Sequence, residues 1–532
     1  MISITYTGKI FELVDPINNK SMTGLALSEP DQTDKIEFVF INSVDVSTEG
    51  KTFPLPDGIL TFQAVINIDI IMKLKKEMIV KEISVLNQDL VEKILRTMLL
   101  NQAERYYDAV YKPKRTVDFV ENKTRIQYAG RVFDAAEINY IINSSIDFWL
   151  TYGRYSKKFE TKLAKYLGVK HALFVNSGSS ANLLAFSALT SHLLKDRQVK
   201  RGDEIITVAS GFPTTISPIV QYGAVPVFID IDIETLNANV DQLEMALSSK
   251  SKAVMLAHTL GNPFNINAVK TFCEKNNLWL IEDNCDALGS TYAGKITGTW
   301  GDIGTSSFYP AHHITTGEGG AVYTDNPILN KIMLSIRDWG RDCWCDSGKD
   351  NSCGKRFSGQ FGTLPFGYDH KYVYSHFGYN LKATDIQAAI GCAQLDKLPE
   401  FIQKRKANYQ YLYKRLIDFD KYFILSKATP DSDPSWFGFL MTLKDNLNFK
   451  RNDIVNYLES HHIQTRNLFA GNIVKHPCFD ALQNGIDYRI IGNLSNSDKV
   501  MNDSFWIGVY PGMNKESMDY MINMIQEFIR MK

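Results

Sequence analysis

The first 85 residues alternate between short apolar segments and turn-forming residues. The apolar segments are Ile2–Tyr6, Ile36–Ile41 and Leu60–Ile68, and proline and glycine lie in the stretches between them. Runs of this length with turn formers on both sides are typical of β-strands. Residues 1–85 are therefore predicted to form a small β-rich module. The pattern fits an extension with no function of its own as well as it fits a binding role.

The next segment, residues 86–134, opens with a helical pattern. Apolar side chains recur at Leu90, Ile94, Leu95, Met98 and Leu99, the spacing of one face of an α-helix. We predict a helix from about residue 86 to residue 111, which makes the whole segment a helical lead-in to the rest of the chain.

From residue 135 to residue 400, short apolar runs alternate with helical stretches. This order is typical of an α/β domain in which helices cover both faces of a mostly parallel sheet. A charged helix is then predicted over Glu400–Asp418, leading into a smaller mixed α/β domain over residues 401–532. The predicted strands of the large domain are Ala172–Val175, Glu204–Val208, Pro226–Ile229, Ala253–Ala257, Leu278–Ile281, Ser306–Tyr309 and Ala321–Thr324.

Composition narrows the functional classes. The 532 residues are 44% hydrophobic and 22% charged, as in globular proteins. The net charge of -1 provides no electrostatic basis for binding nucleic acid or an anionic membrane. The longest apolar run, Ile59–Met72, contains polar residues and is too short to span a bilayer. The first residues lack the pattern of a secretion signal, so we expect a cytoplasmic protein.

Two junctions in the large domain carry candidate binding residues. Gly178 and Ser179 lie where a strand turns into a helix, and the backbone N–H groups of such a turn can bind a phosphate, although the same sequence also fits a plain turn. Asp283 follows a buried strand, where open α/β sheets bind ligands. It can pair with a pyridinium nitrogen or cap a helix. Phe212, after another strand, can stack on a ring or belong to the core.

The segment Ser307–Gly320 reads Ser-Phe-Tyr-Pro-Ala-His-His-Ile-Thr-Thr-Gly-Glu-Gly-Gly. It resembles the cofactor-lysine segment of the pyridoxal-phosphate sugar aminotransferases, with His312 where that family has its lysine. No lysine occurs between Lys295 and Lys331. A lysine holds the cofactor covalently, whereas a histidine moves protons near neutral pH. The resemblance implies an enzyme that keeps the cofactor as pyridoxamine phosphate and uses it for a reaction other than amino transfer.

This resemblance extends from about residue 88 to the C-terminus and implies an aspartate-aminotransferase-like fold, the fold type I of pyridoxal-phosphate enzymes. It implies that Gly178, Ser179 and Ser307 contact the cofactor phosphate and that Asp283 binds the pyridine nitrogen. Asn380 matches an asparagine that reaches the phosphate of the neighbouring subunit, which implies a homodimer with shared active sites.

Four of the seven cysteines have an unusual spacing. Cys285, Cys343, Cys345 and Cys353 follow the pattern C-x57-C-x-C-x7-C. Four thiolates are what a [2Fe–2S] cluster requires, and the spacing differs from that of zinc sites; scattered free thiols are the alternative. Cys285 lies two residues after Asp283, close to the expected cofactor ring. The remaining cysteines are predicted to be ordinary buried thiols: Cys273, Cys392 and Cys478.

His312 together with this cysteine spacing resembles the family's 3-dehydrases that act on CDP-4-keto-6-deoxy-D-glucose in 3,6-dideoxyhexose biosynthesis. The resemblance implies that His312 takes a proton from the cofactor as the C3 hydroxyl leaves, and that Asp286, Tyr309 and Phe437 line the site. It also implies that the cluster receives electrons from a separate NADH-dependent flavin/iron–sulfur reductase. Arg466 is expected either to contact a nucleotide phosphate or to form a surface salt bridge.

Two other functions fit parts of the pattern. A cluster-free dehydratase of GDP-linked 4-keto-6-deoxymannose would also carry histidine for lysine, but it would not need the four cysteines. An inactive sugar-binding paralogue would also have lost the lysine, but it would not need Asp283, the phosphate turn or the cysteines.

Overall fold

The structure is a computed structural model that describes residues 9–14, 21–27, 35–43, 52–54, 64–75, 79–85, 88–115, 118–343, 345, 348–349, 351–352 and 354–532. The chain divides into two compact units. The first comprises residues 1–117 and 134–147, and the second comprises residues 118–133 and 148–532.

The first unit combines an antiparallel sheet with three helices. Arg96 on the first helix donates hydrogen bonds to Asn143 (3.2 Å) and Asp147 (2.9 Å) on the third. The elements are β1 (Lys9–Val14), β2 (Ser21–Ala26), β3 (Lys35–Ser43), β4 (Thr52–Pro54), β5 (Ala64–Lys75), β6 (Ile79–Val85), α1 (Gln88–Tyr106), a π-helical turn (Tyr107–Tyr111), α2 (Lys112–Arg115) and α3 (Ala135–Asp147). The strand order is β4-β5-β3-β2-β1-β6.

The predictions for this unit are largely confirmed. The strand predicted at Ile36–Ile41 lies within β3, and the helix predicted over residues 86–111 is α1 with its π-helical turn. The strand predicted at Leu60–Ile68 overlaps β5, which the structure describes from Ala64 and which continues to Lys75 because it pairs with β3 up to that residue, with one register shift. Residues 60–63 lie outside the described residues. The strand predicted at Ile2–Tyr6 lies outside the described residues.

The second unit contains most of the α/β domain predicted over residues 135–400 and all of residues 401–532, the C-terminal region. Its elements are α4 (Arg154–Leu167), β7 (His171–Val175), α5 (Gly178–Leu189), β8 (Glu204–Val208), α6 (Pro213–Tyr222), β9 (Val225–Ile229), α7 (Leu243–Ala246), β10 (Ser251–Ala257), α8 (Ile266–Lys275), β11 (Trp279–Asp283), β12 (Thr291–Tyr292), β13 (Lys295–Ile296), β14 (Ile303–Ser307), β15 (Gly320–Thr324), α9 (Pro327–Arg337), α10 (Asp385–Leu416), β16 (Phe423–Leu425), β17 (Ser432–Asp433), β18 (Gly438–Leu443), α11 (Arg451–Ser460), β19 (Arg489–Ile490), α12 (Ser495–Asp503), β20 (Ser504–Gly508) and α13 (Lys515–Arg530).

The central sheet has eight strands in the order β19-β9-β8-β10-β11-β14-β15-β7. The pairs from β19 to β14 are parallel, and the pairs β14–β15 and β15–β7 are antiparallel. Apolar clusters cover both faces, as expected for parallel strands flanked by helices. The carboxyl ends of β7, β8, β10, β11 and β14 meet at one edge of the sheet. The predicted mostly parallel sheet is confirmed.

Two predicted elements differ most from the structure. The strand predicted at Ser306–Tyr309 runs from Ile303 to Ser307. It begins with Ile303 and continues with small residues, so no apolar run marks it. Gly304 has to be glycine because a Cβ there would lie 2.0 Å from the Gly298 carbonyl oxygen. The helix predicted over Glu400–Asp418 is the second half of α10, which begins at Asp385 behind a capping box on Thr384 and continues through Pro399.

The C-terminal region has its own sheet and core. β16, β18 and β20 form an antiparallel sheet in the order β16-β18-β20, and α10, α11 and α13 contribute apolar side chains to the cluster that packs against it. Within the described part of the chain, we find no helix with the length and apolar character that crossing a membrane requires.

Candidate active site

A cavity of about 340 Å³ opens at the edge of the sheet where the carboxyl ends of the strands meet. It brings together segments that follow β7, β8, β11 and β14 with residues from the C-terminal region. Eleven residues singled out from the sequence line it: Gly178, Ser179, Phe212, Asp283, Cys285, Asp286, Ser307, Tyr309, His312, Phe437 and Arg466.

One end of the cavity is formed by the first turn of α5. Ser177 caps this helix by accepting a hydrogen bond from the Ser180 amide (3.0 Å). A Cβ at Gly178 would lie 2.4 Å from the Ser307 Cβ, so only glycine allows the helix N-terminus and the end of β14 to approach this closely. The free amides of the first helical turn carry partial positive charge. This end of the cavity can therefore bind a phosphate.

Asp283 faces the cavity at the end of β11 and is only 4% exposed. Its Oδ2 accepts hydrogen bonds from Asn182 Nδ2 (2.7 Å) and from Thr215 Oγ1 (2.7 Å). Its Oδ1 accepts one from the Cys285 amide (3.1 Å). These donors hold a buried carboxylate in one orientation, as pairing with a ligand cation requires.

The neighbouring acid, Glu282, points to the other side of the strand. It accepts hydrogen bonds from His258 Nε2 (3.0 Å) and from the amides of Gly298, Trp300 and Gly301. Burial alone would raise the pKa of Glu282, but the His258 and backbone hydrogen bonds lower it. Glu282 therefore holds the loop at Gly298–Gly301 in place, whereas Asp283 lines the cavity.

His312 also lines the cavity. Its Nδ1 is enclosed and lies 3.4 Å from Asp286 Oδ1, and its ring packs against Phe437 with centroids 5.2 Å apart. Because Nδ1 is enclosed, Nε2 is the ring nitrogen available to a ligand. The arrangement places a group that can take or give a proton in the wall of the cavity.

His313, the adjacent histidine, has a different environment. It is buried, its Nε2 donates a hydrogen bond to the Ser435 carbonyl oxygen (2.8 Å), and it does not line the large cavity. Burial, followed by the positive charge of Arg405, lowers the pKa of His313 well below its usual value. His313 is thus held neutral inside the protein, and His312 is the histidine that a ligand can reach.

The remaining wall is aromatic and cationic. The guanidinium group of Arg466 lies 4.0 Å above the ring of Tyr128, and Tyr128 packs edge-on against Trp506. Phe212 and Phe469 meet edge to face at 5.7 Å. No local sequence signal pointed to Tyr128 or Trp506, because they reach the cavity from distant parts of the chain.

Three predicted site residues lie elsewhere. Asn380 is exposed and does not line the cavity. Cys343 and Cys345 line a second cavity of about 360 Å³ that is rich in cationic side chains. Cys353 lies outside the described residues. Among the residues that the structure describes, no three His, Cys, Asp or Glu side chains form a group able to hold a metal ion.

The other thiols differ in burial. Burial, followed by the charge of Asp283, raises the pKa of Cys285 well above its usual value. Burial also raises the pKa of Cys273 to about 12 and that of Cys392 to about 11, as expected for inert core thiols. The prediction for Cys478 was wrong. It is exposed, because its short 3₁₀ turn directs Phe479 into the core instead.

Comparisons with known proteins agree with this architecture. A model of the DegT/DnrJ/EryC1/StrS aminotransferase family matches residues 132–526. The lipopolysaccharide biosynthesis protein RfbH of Salmonella typhimurium is 51% identical over 82% of this chain and 98% of its own. The dTDP-4-dehydro-2,6-dideoxy-D-glucose 3-dehydratase of Saccharopolyspora spinosa is 48% identical over 79% of this chain and 90% of its own.

Among solved structures, the GDP-4-keto-6-deoxy-D-mannose 3-dehydratase of E coli with bound hydrated pyridoxal phosphate superimposes with a TM-score of 0.67. It is 32% identical over 75% of this chain and 98% of its own. The aspartate-aminotransferase-like fold expected from the sequence is thereby confirmed. Because the family model spans most of the chain and the curated relatives align over nearly their whole length, this chain belongs to the DegT/DnrJ/EryC1/StrS aminotransferase family.

Proposed function

We propose that this chain removes the C3 hydroxyl group of a nucleotide-linked 4-keto-6-deoxyhexose, with pyridoxamine phosphate as its cofactor. The observation that carries the proposal is His312, which lines the cavity with Asp283. None of the described residues that line this cavity is a lysine. The site therefore has a group that moves protons and lacks the amine that would hold the cofactor covalently. Relatives named as 3-dehydratases of dTDP- and GDP-linked sugars support the same reaction class.

The polar groups of the cavity fit pyridoxamine phosphate. The first amides of α5, with Ser179 and Ser307, would bind the phosphate. Asp283 would pair with the ring nitrogen and keep it protonated, and Phe212 would cover one face of the ring. When bound, the cofactor supplies an amine that combines with the C4 ketone and a ring that accepts electrons.

His312 would act as the base. Because Nδ1 is enclosed, Nε2 is the ring nitrogen whose lone pair can take a proton from a molecule in the cavity. Contact with Phe437 limits rotation of the imidazole ring. His312 would therefore accept the proton whose removal accompanies departure of the C3 hydroxyl. Tyr309, beside it in the cavity, would help to enclose the sugar.

The aromatic and cationic wall would bind the nucleotide. Arg466 would contact the diphosphate, and the rings of Tyr128, Phe469 and Trp506 offer apolar surface beside it. We propose a CDP-linked sugar, in a pathway to 3,6-dideoxyhexoses, on the strength of the sequence resemblance.

A second copy of the chain would complete the site. Asn380 is exposed, as it must be if its amide reaches the cofactor phosphate of a neighbouring subunit. All described residues that line the cavity lie at position 128 or beyond, and we propose that residues 1–85 take no part in the chemistry.

We further propose that Cys285, Cys343, Cys345 and Cys353 bind a [2Fe–2S] cluster that a separate NADH-dependent reductase supplies with electrons. The support is the cysteine spacing and the place of Cys285 in the cavity near Asp283. The described side chains do not assemble this site, since Cys285 lines one cavity while Cys343 and Cys345 line another. No step of the chemistry above is therefore assigned to the cluster.

Serine substitution at the cluster cysteines gives a direct test. Cys345→Ser is expected to lower the iron content of the anaerobically purified protein to near zero, because a [2Fe–2S] cluster needs four thiolate ligands. Iron and acid-labile sulfide assays measure the effect. Cys478→Ser is the exposed control and Cys392→Ser the buried one, and both should keep the wild-type iron content. Two iron atoms per chain in Cys345→Ser would refute the ligand assignment.

A single set of measurements separates the proposed function from its alternative, a cluster-free dehydratase like the E coli relative. The visible spectrum of the anaerobically purified protein should show iron–sulfur absorption if the cluster is present. Borohydride should trap no cofactor on the wild-type chain, whereas His312→Lys should acquire a reducible covalent link to pyridoxal phosphate. Trapping on a wild-type lysine would overturn the proposed function.

A further inference from the structure

A third, much smaller cavity is lined by His312. It has a volume of about 10 Å³ and is lined by His312, His313, Gln394 and Arg405, among others. This volume is on the scale of a single water molecule. His312 lines both this cavity and the large one, so a molecule bound in the small cavity would contact the residue proposed as the base.

Three atoms of these lining residues are enclosed and form no hydrogen bond with any described residue: His312 Nδ1, His313 Nδ1 and Arg405 Nε. The contact from His312 Nδ1 to Asp286, at 3.4 Å, lacks hydrogen-bond geometry. Buried polar atoms are nearly always satisfied by protein or by ordered water. Three such atoms on residues that line one cavity of this size point to a shared partner.

The chemistry of each atom fixes what that partner must do. His313 Nε2 faces a carbonyl oxygen, so it carries the hydrogen and Nδ1 of the neutral ring can only accept. Arg405 Nε can only donate. Burial lowers the pKa of Arg405 to about 10, which still leaves the guanidinium charged near neutral pH. The partner must therefore both accept and donate, which a water molecule does.

Arg405 is also tied to the walls of the active site. It is 1% exposed, and its guanidinium group donates hydrogen bonds to the carbonyl oxygens of His312 (3.1 Å), Trp436 (3.2 Å) and Phe437 (3.4 Å). One buried side chain thus fixes the backbone on both sides of the imidazole ring of His312.

We propose that one water molecule in the small cavity accepts hydrogen bonds from Arg405 Nε and His312 Nδ1 and donates one to His313 Nδ1. This network holds His312 as the Nδ1–H tautomer and directs the lone pair of Nε2 into the large cavity. Arg405 and His313 are then positioning residues for the base. The inference rests on the proposed role of His312 as that base.

The tautomer can be measured directly. In the full-length, cofactor-free protein labelled with ¹⁵N-histidine, the signals of His312, assigned from their loss in His312→Asn, should show hydrogen on Nδ1. His313→Leu, which removes the acceptor for water, should shift His312 toward a mixture of tautomers. His313→Asn keeps an acceptor near the position of Nδ1 and should retain the wild-type state. Asp286→Asn should also retain it, because the water and not the carboxylate holds the hydrogen.

Two results would overturn the inference. One is a wild-type His312 with hydrogen on Nε2; the other is a tautomer that changes in Asp286→Asn and not in His313→Leu. Because these spectra need neither cofactor nor turnover, they decide the inference even if His312 proves not to be the base. A crystal structure should also show density for one water within about 3.2 Å of all three atoms, and a dry cavity would count against the network.

Kinetics provide an independent measurement. His313→Leu should lower kcat for elimination about tenfold, less than the ~10²-fold or greater cost of removing a general base, and it should leave KM unchanged. His313→Asn should restore most of the rate. A loss in His313→Leu that appears in KM alone would indicate altered sugar binding and would overturn the positioning role.

Discussion

Replacing His312 with asparagine is expected to slow departure of the C3 hydroxyl by ~10²-fold or more, the scale of a lost general base. Asparagine keeps a polar side chain beside Phe437 but cannot take up a proton. Cofactor and sugar nucleotide should still bind, because the substitution leaves the first turn of α5, which would bind the phosphate, and Arg466, which would contact the nucleotide, unchanged. Single-turnover elimination measures the rate, and loss of hydrogen label from the C4′ carbon of the cofactor should slow in parallel.

The adjacent histidine offers a matched control. His313→Asn makes the same chemical change one residue away, at a side chain that is buried and does not line the large cavity. It should eliminate at close to the wild-type rate. If label is lost at the normal rate from His312→Asn and stops in His313→Asn, the base is His313 and the geometry has been misassigned.

Most of the site was predictable because its residues stand at strand ends. The turn at Gly178 and the acid at Asp283 each follow an apolar run, and parallel strands bring such ends to one edge of a sheet. Strand periodicity also predicts that Glu282 and Asp283 point to opposite faces. The periodicity does not say which of the two faces the ligand. That depends on the loop at Gly298–Gly301, whose backbone amides donate hydrogen bonds to Glu282.

The residues that were missed act across long sequence separations. Asn182 and Thr215 orient Asp283 from two other segments, and Arg405 holds His312 from the middle of a long helix. An arginine in a helical sequence normally indicates a solvent-exposed face. Only the folded chain shows that Arg405 is enclosed and that its partners are carbonyl oxygens.

Asp283→Asn is expected to reduce elimination by about 10²–10⁴-fold, because breaking a buried charge pair costs about 3–5 kcal/mol. The amide keeps the size of the side chain but loses the negative charge that would hold the ring nitrogen of the cofactor protonated. The loss should appear in the rate at saturating cofactor. The absorption spectrum of the bound cofactor should change as well, since its ring nitrogen would lose its charged partner.

Glu282→Gln separates this effect from simple destabilisation. Glu282 accepts hydrogen bonds from His258 and from three backbone amides, so its replacement should lower the free energy of unfolding by about 1–3 kcal/mol. Because Glu282 points away from the cavity, the folded variant should eliminate at nearly the wild-type rate. Asp283 also accepts hydrogen bonds inside the protein, so Asp283→Asn should lose stability to a similar extent, but the folded variant should in addition show the large loss in rate. Wild-type elimination by Asp283→Asn, or equal kinetic losses in the two variants, would mean that Asp283 does not pair with the cofactor ring.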